Sequence, residues 1–223
     1  MEEIKCINLN FEVVPNKITK VIFQTSLDSP EDYVRDYIKL YFPDYKYYHF
    51  KDTDIIRFIE MNPLEEFPDA LKKFNSFKVG AHKADFFRYY FLYINGGIFL
   101  DSDAMLHCNI KKIIDGYKEV YIESNFFKDF NHIFNGFICT YPKNPVIYEA
   151  LCHMYECDYI THYQMFCEEL YKIIKKYNPD DIKIYKETIK KTEMRDESVI
   201  YDDNNEKILT HYFNNKVIPR GHN

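Results

Sequence analysis

The sequence predicts an α/β protein, because short strand-like segments alternate with segments of helical periodicity along the chain. Strands in that order usually form a parallel sheet with helices on its faces. Hydrophobic residues make up 46% of the 223 residues, which is enough for one well-filled core. We therefore expect a single domain over residues 1–223.

The first sixty residues show the alternation. Residues 18–25 are rich in β-branched and aromatic side chains, as core strands are, and should form the first strand. Ser29 and Pro30 are typical of a helix start, and the predicted helix runs over 29–41. A second strand over 45–50 and a short helix over 54–60 follow.

A longer helix is predicted over residues 79–94, where apolar side chains recur at helical spacing. The sequence Asn95-Gly96-Gly97 should end this helix, since glycine readily takes the left-handed conformation of a helix stop. Residues 98–100 form the short apolar run that a strand covered on both faces requires, and Asp101 and Asp103 come directly after it.

The second half of the chain is less regular. Strands are predicted over 120–123 and 134–140, and helices over 145–155 and 162–177. The last forty residues are polar, with strand-like pieces near Val199 and Ile208.

Composition excludes several classes of function. A formal net charge of −6 without basic clusters argues against binding of nucleic acid. The six cysteines show neither zinc-like spacing nor a CxxC pair, which favours free thiols in a reducing compartment. No signal segment or membrane-spanning run is visible, so we expect a cytoplasmic location.

The acidic pair is the first candidate functional feature. Side chains alternate in an extended segment, so Asp101 and Asp103 should point the same way. Ligands of open α/β sheets gather at the carboxyl ends of strands, and carboxylates suit Mg²⁺ or Mn²⁺ that also contacts a diphosphate. The alternative is a plain polar turn, because a bare DxD arises by chance in many chains.

Asp85 and Arg88 form the second candidate feature. They stand three residues apart on the predicted helix and so share one face. Asp85 could accept hydrogen bonds from hydroxyls, and the Arg88 guanidinium could hold a phosphate. The alternative is an ordinary surface ion pair.

Together these residues resemble a known family. Residues 83–103 combine Lys-Ala-Asp, an arginine three positions on, a double glycine and the DxD in one register. This pattern is similar to the core of the DXD sugar transferases of glycosyltransferase family 32, which include fungal mannosyltransferases and capsule enzymes. The catalytic domains of the clostridial glucosylating toxins are similar too. Weaker similarity covers residues 18–26 and the segment 135–137 with Pro142 and Pro145.

The resemblance implies a GT-A type nucleotide-diphospho-sugar transferase fold, with a mixed, mostly parallel sheet flanked by helices. It also implies a retaining enzyme that moves a hexose to a glycan or other hydroxyl acceptor with the aid of Mn²⁺ or Mg²⁺. A UDP-sugar donor is favoured over a GDP-sugar. Phe23 and Ser26 depart from the family pattern, in which a histidine and a tryptophan usually stand.

By the same resemblance, Asp103 would bind the metal, and Asp101 would contact the donor ribose and the metal. A third ligand in such folds often comes from the C-terminal region. His211 is our candidate, because a neutral imidazole is an acceptable ligand for Mn²⁺. A lone, partly buried histidine is the alternative.

The remaining site residues would bind the donor. Asp85 and Arg88 would hold the sugar hydroxyls and the diphosphate region, and Gln24 and Thr25 would lie beside the nucleoside. Asn135 belongs to the segment that resembles the family's later motif, and we place it in the donor site as well.

Two other functions compete. A phosphatase of the haloacid-dehalogenase type would use residues 98–104 as its nucleophile motif and 199–203 as its later acid pair. A module that only binds nucleotide sugars would share the donor residues.

An alternative mechanism for the transferase is double displacement. It would need a further carboxylate, for which Glu123 and Asp158 are candidates that nothing in the sequence selects.

Overall fold

The structure, a computed structural model, describes residues 9–30, 32–124, 131–177, 179–193 and 195–213. Within them lie ten strands and seven helices in mixed order. The strands are β1 Val21–Thr25, β2 Lys46–Phe50, β3 Gly97–Leu100, β4 Ala104–Leu106, β5 Glu119–Ser124, β6 His132–Ile133, β7 Phe137–Thr140, β8 Ile182–Lys191, β9 Asp196–Tyr201 and β10 Lys207–Phe213. The helices are α1 Asp32–Tyr41, α2 Asp52–Met61, α3 Ala70–Ser76, α4 Gly80–Asn95, α5 Ile110–Ile114, α6 Pro145–Glu156 and α7 Met165–Ile174.

The strands form one sheet in the order β2-β1-β3-β7-β5-β8-β9-β10-β4, with β6 beside β5. Pairing is parallel within β2-β1-β3 and between β5 and β8. The other pairs are antiparallel, including the C-terminal meander β8-β9-β10 and its neighbour β4. The expected mixed sheet is therefore confirmed, but the expectation that it is mostly parallel is wrong, because short turns join the C-terminal strands as hairpins.

Both faces of the sheet are covered. One apolar cluster contains Phe23 and Phe99 with the helices α2, α3, α4, α6 and α7. The other contains Ile22 and Leu100 with α1, α5 and the C-terminal strands. Neighbouring residues of one strand enter opposite clusters because side chains alternate along a strand.

Helix α4 lies in the middle of the larger cluster. Eleven of its sixteen residues are buried, which is why its sequence is apolar on nearly every side. Its end at Gly96 and Gly97 is confirmed, with φ angles of 64° and 105°. A Cβ at Gly96 would lie 2.6 Å from Pro142 N, and one at Gly97 would lie 2.8 Å from the Val21 carbonyl oxygen. The two glycines thus turn the chain from α4 directly into β3.

Most predicted elements are present, with shifted ends. The strand expected over 18–25 starts at Val21, and the helix expected over 162–177 is α7, which is shorter. The strand expected over 134–140 begins at Phe137, and the short strand β6 before it pairs with β5. Helix α1 starts at Asp32, although its predicted start includes Glu31, outside the described residues.

Five elements had no counterpart in the prediction: α3, β4, α5, β6 and β8. Cys108, Cys139, Cys152, Cys157 and Cys167 are free thiols. In the described part of the chain, the helices are all too short or too polar to cross a lipid bilayer.

Candidate functional site

The acidic pair lies where β3 ends. Asp101 to Asp103 form a tight turn in which the Ala104 amide donates to the Asp101 carbonyl oxygen over 3.1 Å. The expectation of an extended segment is wrong here, because the chain must reverse quickly to enter β4. The turn nevertheless brings the two carboxylates together.

His211 completes a group of three. One ligand atom each from Asp101, Asp103 and His211 lies within 4.8 Å of the others. His211 is on β10 and pairs with Ala104 of β4, which places it beside the acidic turn. Its Nε2 lies 3.3 Å from Asp103 Oδ1, and the Tyr212 amide donates to the Asp103 carbonyl oxygen over 3.0 Å. The predicted residues thus converge, although more than a hundred positions separate them in sequence.

Asp85 and Arg88 of α4 lie beside this triad. Arg88 Nη1 donates to Asp85 Oδ1 at 2.9 Å, and Nη2 lies 3.3 Å from Asp101 Oδ1. The side chains of Arg88 and Asp85 are only 4% and 11% exposed, so they are not an ordinary surface pair. The guanidinium also stacks on Phe99, with 3.8 Å from Cζ to the ring centroid. Arg88 therefore links two carboxylates from inside the protein.

Asn135 belongs to the loop before β7 and is buried against α4. Its Nδ2 donates to Asp85 Oδ1 at 3.1 Å, and its Oδ1 accepts from the Tyr89 hydroxyl at 2.9 Å. Its carbonyl oxygen accepts from Arg88 Nη1. Asn135 therefore fixes the orientation of Asp85, and it also lines the cleft described below.

Gln24 and Thr25 end β1 on the same edge of the sheet. Thr25 lines the cleft. Gln24 lies beneath the acidic turn, where its Nε2 donates to the Asp101 carbonyl oxygen at 3.2 Å and its Oε1 accepts from the Tyr47 hydroxyl at 2.9 Å. With 1% of its surface exposed, Gln24 supports the turn.

Gly136 explains how the backbone passes so close to the turn. Its carbonyl oxygen accepts from the Asp101 amide at 2.8 Å, and an added Cβ would overlap the Phe134 ring and the Asp101 carboxylate.

The two residues that depart from the family pattern also have defined contacts. Phe23 packs in the core against Phe91, and Ser26 lies 2.7 Å from His49 Nε2.

Burial controls the electrostatics of the site. It raises the pKa of Asp101 and of Asp85, in each case against the opposing effect of Arg88. Burial lowers the pKa of His211, but the hydrogen bond and charge of Asp103 outweigh it, so that the net pKa is raised. The site therefore favours a positive charge placed among Asp85, Asp101 and His211.

These residues open onto one cleft of about 750 Å³, within the range of small-ligand sites. Five carboxylates, from Asp52, Asp85, Asp101, Asp103 and Glu187, line its described part beside a single guanidinium from Arg88. An anionic ligand such as a diphosphate would be repelled here unless a cation came with it.

Sequence reasoning missed part of the lining. Tyr163 and Gln164 precede α7, Phe134 precedes β7, and Glu187 lies on the unpredicted strand β8. Alternating apolar and polar residues at the start of β8 are the one signal that could have revealed it.

The additional acidic residues that the other mechanisms require lie elsewhere. Asp202 pairs with Lys112 at 2.9 Å and Asp203 with Lys183 at 2.6 Å, both outside the cleft lining. The later acid pair of a phosphatase is therefore not next to the DxD. Glu123 and Asp158 do not line the cleft either.

The mixed sheet and the acidic turn at the end of β3 agree with the resemblance to DXD sugar transferases. Residues 28–120 match the family model described as "Glycosyltransferase sugar-binding region containing DXD motif". The resemblance predicted from residues 83–103 is thereby confirmed.

Curated relatives agree with this family. The chain is 35% identical over 97 residues to the uncharacterized glycosyltransferase L373 of Acanthamoeba polyphaga mimivirus, covering 44% of this chain and 38% of that protein. It is 41% identical over 66 residues to the initiation-specific alpha-1,6-mannosyltransferase of Saccharomyces cerevisiae, covering 30% and 14%. It is 34% identical over 103 residues to inositol phosphoceramide mannosyltransferase 3 of Schizosaccharomyces pombe, covering 43% and 28%. The chain spans well under half the length of these relatives.

The fold has a solved counterpart. The PaToxG glycosyltransferase superposes with a TM-score of 0.52 at 15% identity, over 74% of this chain and 72% of that one. This likeness concerns the fold, and it confirms the expected GT-A architecture.

Proposed function

We propose that this chain is a metal-dependent, retaining glycosyltransferase that moves a hexose from a nucleotide sugar to a hydroxyl of a glycan or similar acceptor. The convergence of Asp101, Asp103 and His211 beside Arg88 in one cleft supports this proposal most strongly. The family match over residues 28–120 supports the same class of reaction.

The donor set suits a divalent cation. Two carboxylates and one imidazole are ligands that Mn²⁺ accepts, and Mg²⁺ would accept the carboxylates. Asp101, Asp103 and His211 would hold the ion. When bound, the cation would neutralise the charge that develops on the leaving nucleotide diphosphate. The acid-rich lining requires such neutralisation before a diphosphate can enter.

The other site residues would position the donor. Asp85 is fixed by Arg88 and Asn135, and its carboxylate can accept hydrogen bonds from sugar hydroxyls. Arg88 holds Asp101 and lies where it can contact the phosphates or the sugar. Because these groups are buried and connected, they need little rearrangement when the donor binds.

The identity of the donor follows from weaker arguments. Uridine is favoured because uridine donors dominate among manganese-dependent relatives of this fold. Two relatives are named as mannosyltransferases, which makes a mannose donor with guanosine the second candidate. A module that binds nucleotide sugars without turnover is the remaining alternative, since binding would use the same residues.

Hydrolysis of nucleotide sugars tests the proposal. We expect slow, Mn²⁺-dependent release of nucleoside diphosphate from at least one of UDP-glucose, UDP-galactose, UDP-N-acetylglucosamine and GDP-mannose. The variant Asp103→Asn should lose this activity by at least about a hundredfold, because the cation loses a charged ligand. Asp203→Asn is the matched control, since Asp203 is exposed and pairs with Lys183 outside the cleft.

Three results would separate the candidates. Equal loss in both variants would argue for a phosphatase that uses Asp203, especially if p-nitrophenyl phosphate is hydrolysed. Binding of a nucleotide sugar with Mn²⁺ but without any release of nucleotide would favour the binding module. Full activity in Asp103→Asn would contradict the metal site.

A further inference from the structure

The cleft extends beyond the metal triad into the C-terminal strands. Past His211, its lining includes Ser124 at the end of β5, Glu187 and Ile189 on β8, and Phe213 on β10. The donor residues Thr25, Asp85 and Arg88 belong to the other, N-terminal part of the lining. Residues from both halves of the chain thus line one cleft together with the triad.

Glu187 is the charged group of this second part. It is only 4% exposed, and its two carboxylate oxygens accept from different hydroxyls, Oε1 from Ser124 and Oε2 from Ser198. Both partners are neutral, and among the described residues Glu187 forms no ion pair. A carboxylate that lines a cleft and is held only by two hydroxyls is placed to bind a ligand that donates hydrogen bonds. Each oxygen keeps a free lone pair that could accept from such a ligand.

Strand register places Glu187 close to the triad. Ser198 of β9 pairs with His211 of β10 on one side and with Ile189 of β8 on the other. Directly opposed residues in neighbouring antiparallel strands lie about 5 Å apart. Since Glu187 binds the Ser198 hydroxyl, its carboxylate lies next to the row that carries His211.

An apolar wall faces the same space. The Phe134 ring centroid lies 4.5 Å from that of His211, and the Phe213 ring stacks on His211 at 5.5 Å with an interplanar angle of 15°. Both phenylalanines line the cleft. Aromatic rings beside a hydrogen-bonding carboxylate form a surface that fits a sugar ring, which has an apolar face and hydroxyls at its edge.

We propose that Glu187 binds a hydroxyl of a hexopyranoside acceptor whose apolar face packs on Phe134 and Phe213. The proposal rests on the glycosyltransferase function proposed above and names the substrate class of its second site. A neutral sugar fits better than a phosphorylated or uronic acceptor, because five carboxylates already line the cleft. Glu187 would thus determine which acceptors compete with water for the donor sugar.

The ratio of transfer to hydrolysis tests this assignment, because both rates are measured in one reaction. The probes are the methyl glycosides of glucose, galactose, mannose and N-acetylglucosamine, with the nucleotide sugar that the wild-type chain hydrolyses. In Glu187→Gln, we expect this ratio to fall at least tenfold and the acceptor KM to rise by a similar factor, because a hydrogen bond to a charged acceptor is lost. Ser198→Ala, which frees one carboxylate oxygen, should change the ratio less and in the same direction.

Glu197→Gln is the control variant, since Glu197 follows Asp196 on β9, contacts Arg195 at 3.6 Å and does not line the cleft. It should leave the ratio unchanged. An unchanged ratio in Glu187→Gln, with both rates equally reduced or equally retained, would overturn the role of Glu187 and leave the proposed function intact. Wild-type hydrolysis without transfer to any of the glycosides would overturn the hexopyranoside class. Absence of wild-type hydrolysis would instead reject the proposed function itself.

Discussion

Arg88 carries much of the physical organisation of the site. Its guanidinium contacts Asp85 at 2.9 Å and Asp101 at 3.3 Å, and the side chain is 4% exposed. Without it, two carboxylates would face each other in a poorly solvated region. The sequence shows this residue only as a neighbour of Asp85 on a helix, whereas in the structure it joins α4 to the acidic turn.

Replacement of Arg88 by methionine should therefore destabilise the protein even without substrate. We expect Arg88→Met to lower the free energy of unfolding by about 3–5 kcal/mol, because breaking a buried pair leaves an uncompensated charge. Adding Asp85→Asn should recover part of this loss, since one of the two charges then disappears. Urea denaturation of the two single variants and the double variant measures both effects. Additive losses in the double variant would show that the pair is not coupled.

Most of the predicted site residues do meet in the structure. Asp85, Arg88, Asp101 and Asp103 were predictable because spacing on one helix and position after a strand place them locally. His211 was predicted from the resemblance to the family. Only the pairing of β10 with β4 explains its position beside the acidic turn. Glu187 could not be assigned, because its role depends on hydroxyls from two other strands.

Among the elements, the connection from α4 to β3 decides where the acidic turn lies. Gly96 and Gly97 both have positive φ angles, and each approaches another backbone closely. Glycine is the residue that adopts such angles without strain and has no Cβ to collide with a neighbouring chain. Only three residues of β3 lie between Gly97 and Asp101, so a shift of the glycine turn would also move the acidic turn.

Alanine at Gly97 should thus be costly. We expect Gly97→Ala to lower the free energy of unfolding by at least about 2 kcal/mol, from the strained φ angle and from contact with the Val21 carbonyl oxygen. Gly80→Ala is a suitable control, because a Cβ there meets no atom within 4 Å. Thermal and urea unfolding of both variants should agree on the difference. If Gly97→Ala is as stable as Gly80→Ala, the close packing of this connection is not required.

The elements that could be predicted are those with strong sequence signals. Helix α4 and strand β3 were found because a long periodic segment, two glycines and an apolar run follow one another. The turn at Asp101 was expected to be extended, because local sequence does not show that the chain must return as β4. The antiparallel meander of β8 to β10 was incomplete in the prediction, since β8 carries four lysines and has an exposed outer side.

At the scale of the whole molecule, the site joins two halves of the chain. The N-terminal half supplies β1, α4 and the acidic turn, and the C-terminal meander supplies His211 and Glu187. Contacts between residues 104 and 211 depend on the order of strands in the sheet, which sequence periodicity does not encode. The family resemblance predicted the type of fold, whereas the contact between the acidic turn and β10 is visible only in the structure.

The charge of the described part of the cleft predicts that binding of a divalent cation and binding of a nucleoside diphosphate are coupled. Five carboxylates and one guanidinium make the described lining strongly negative, so a nucleoside diphosphate alone should bind poorly. We expect UDP or GDP without Mn²⁺ to leave the melting temperature unchanged, and Mn²⁺ alone to raise it by a small amount. Together, with the nucleotide at about a hundred times its Kd, they should stabilise the fold by about 2.7 kcal/mol, which is roughly 5–10 °C for a chain of this size.

Because binding linkage is reciprocal, the nucleotide should also tighten the binding of Mn²⁺ by the same factor as Mn²⁺ tightens that of the nucleotide. Differential scanning fluorimetry over a grid of both concentrations measures this coupling. The variant Asp103→Asn serves as its control because it removes a negative charge from the acidic turn. Equal stabilisation by nucleotide with and without Mn²⁺ would mean that Arg88 alone binds the diphosphate and that the acidic turn has another role.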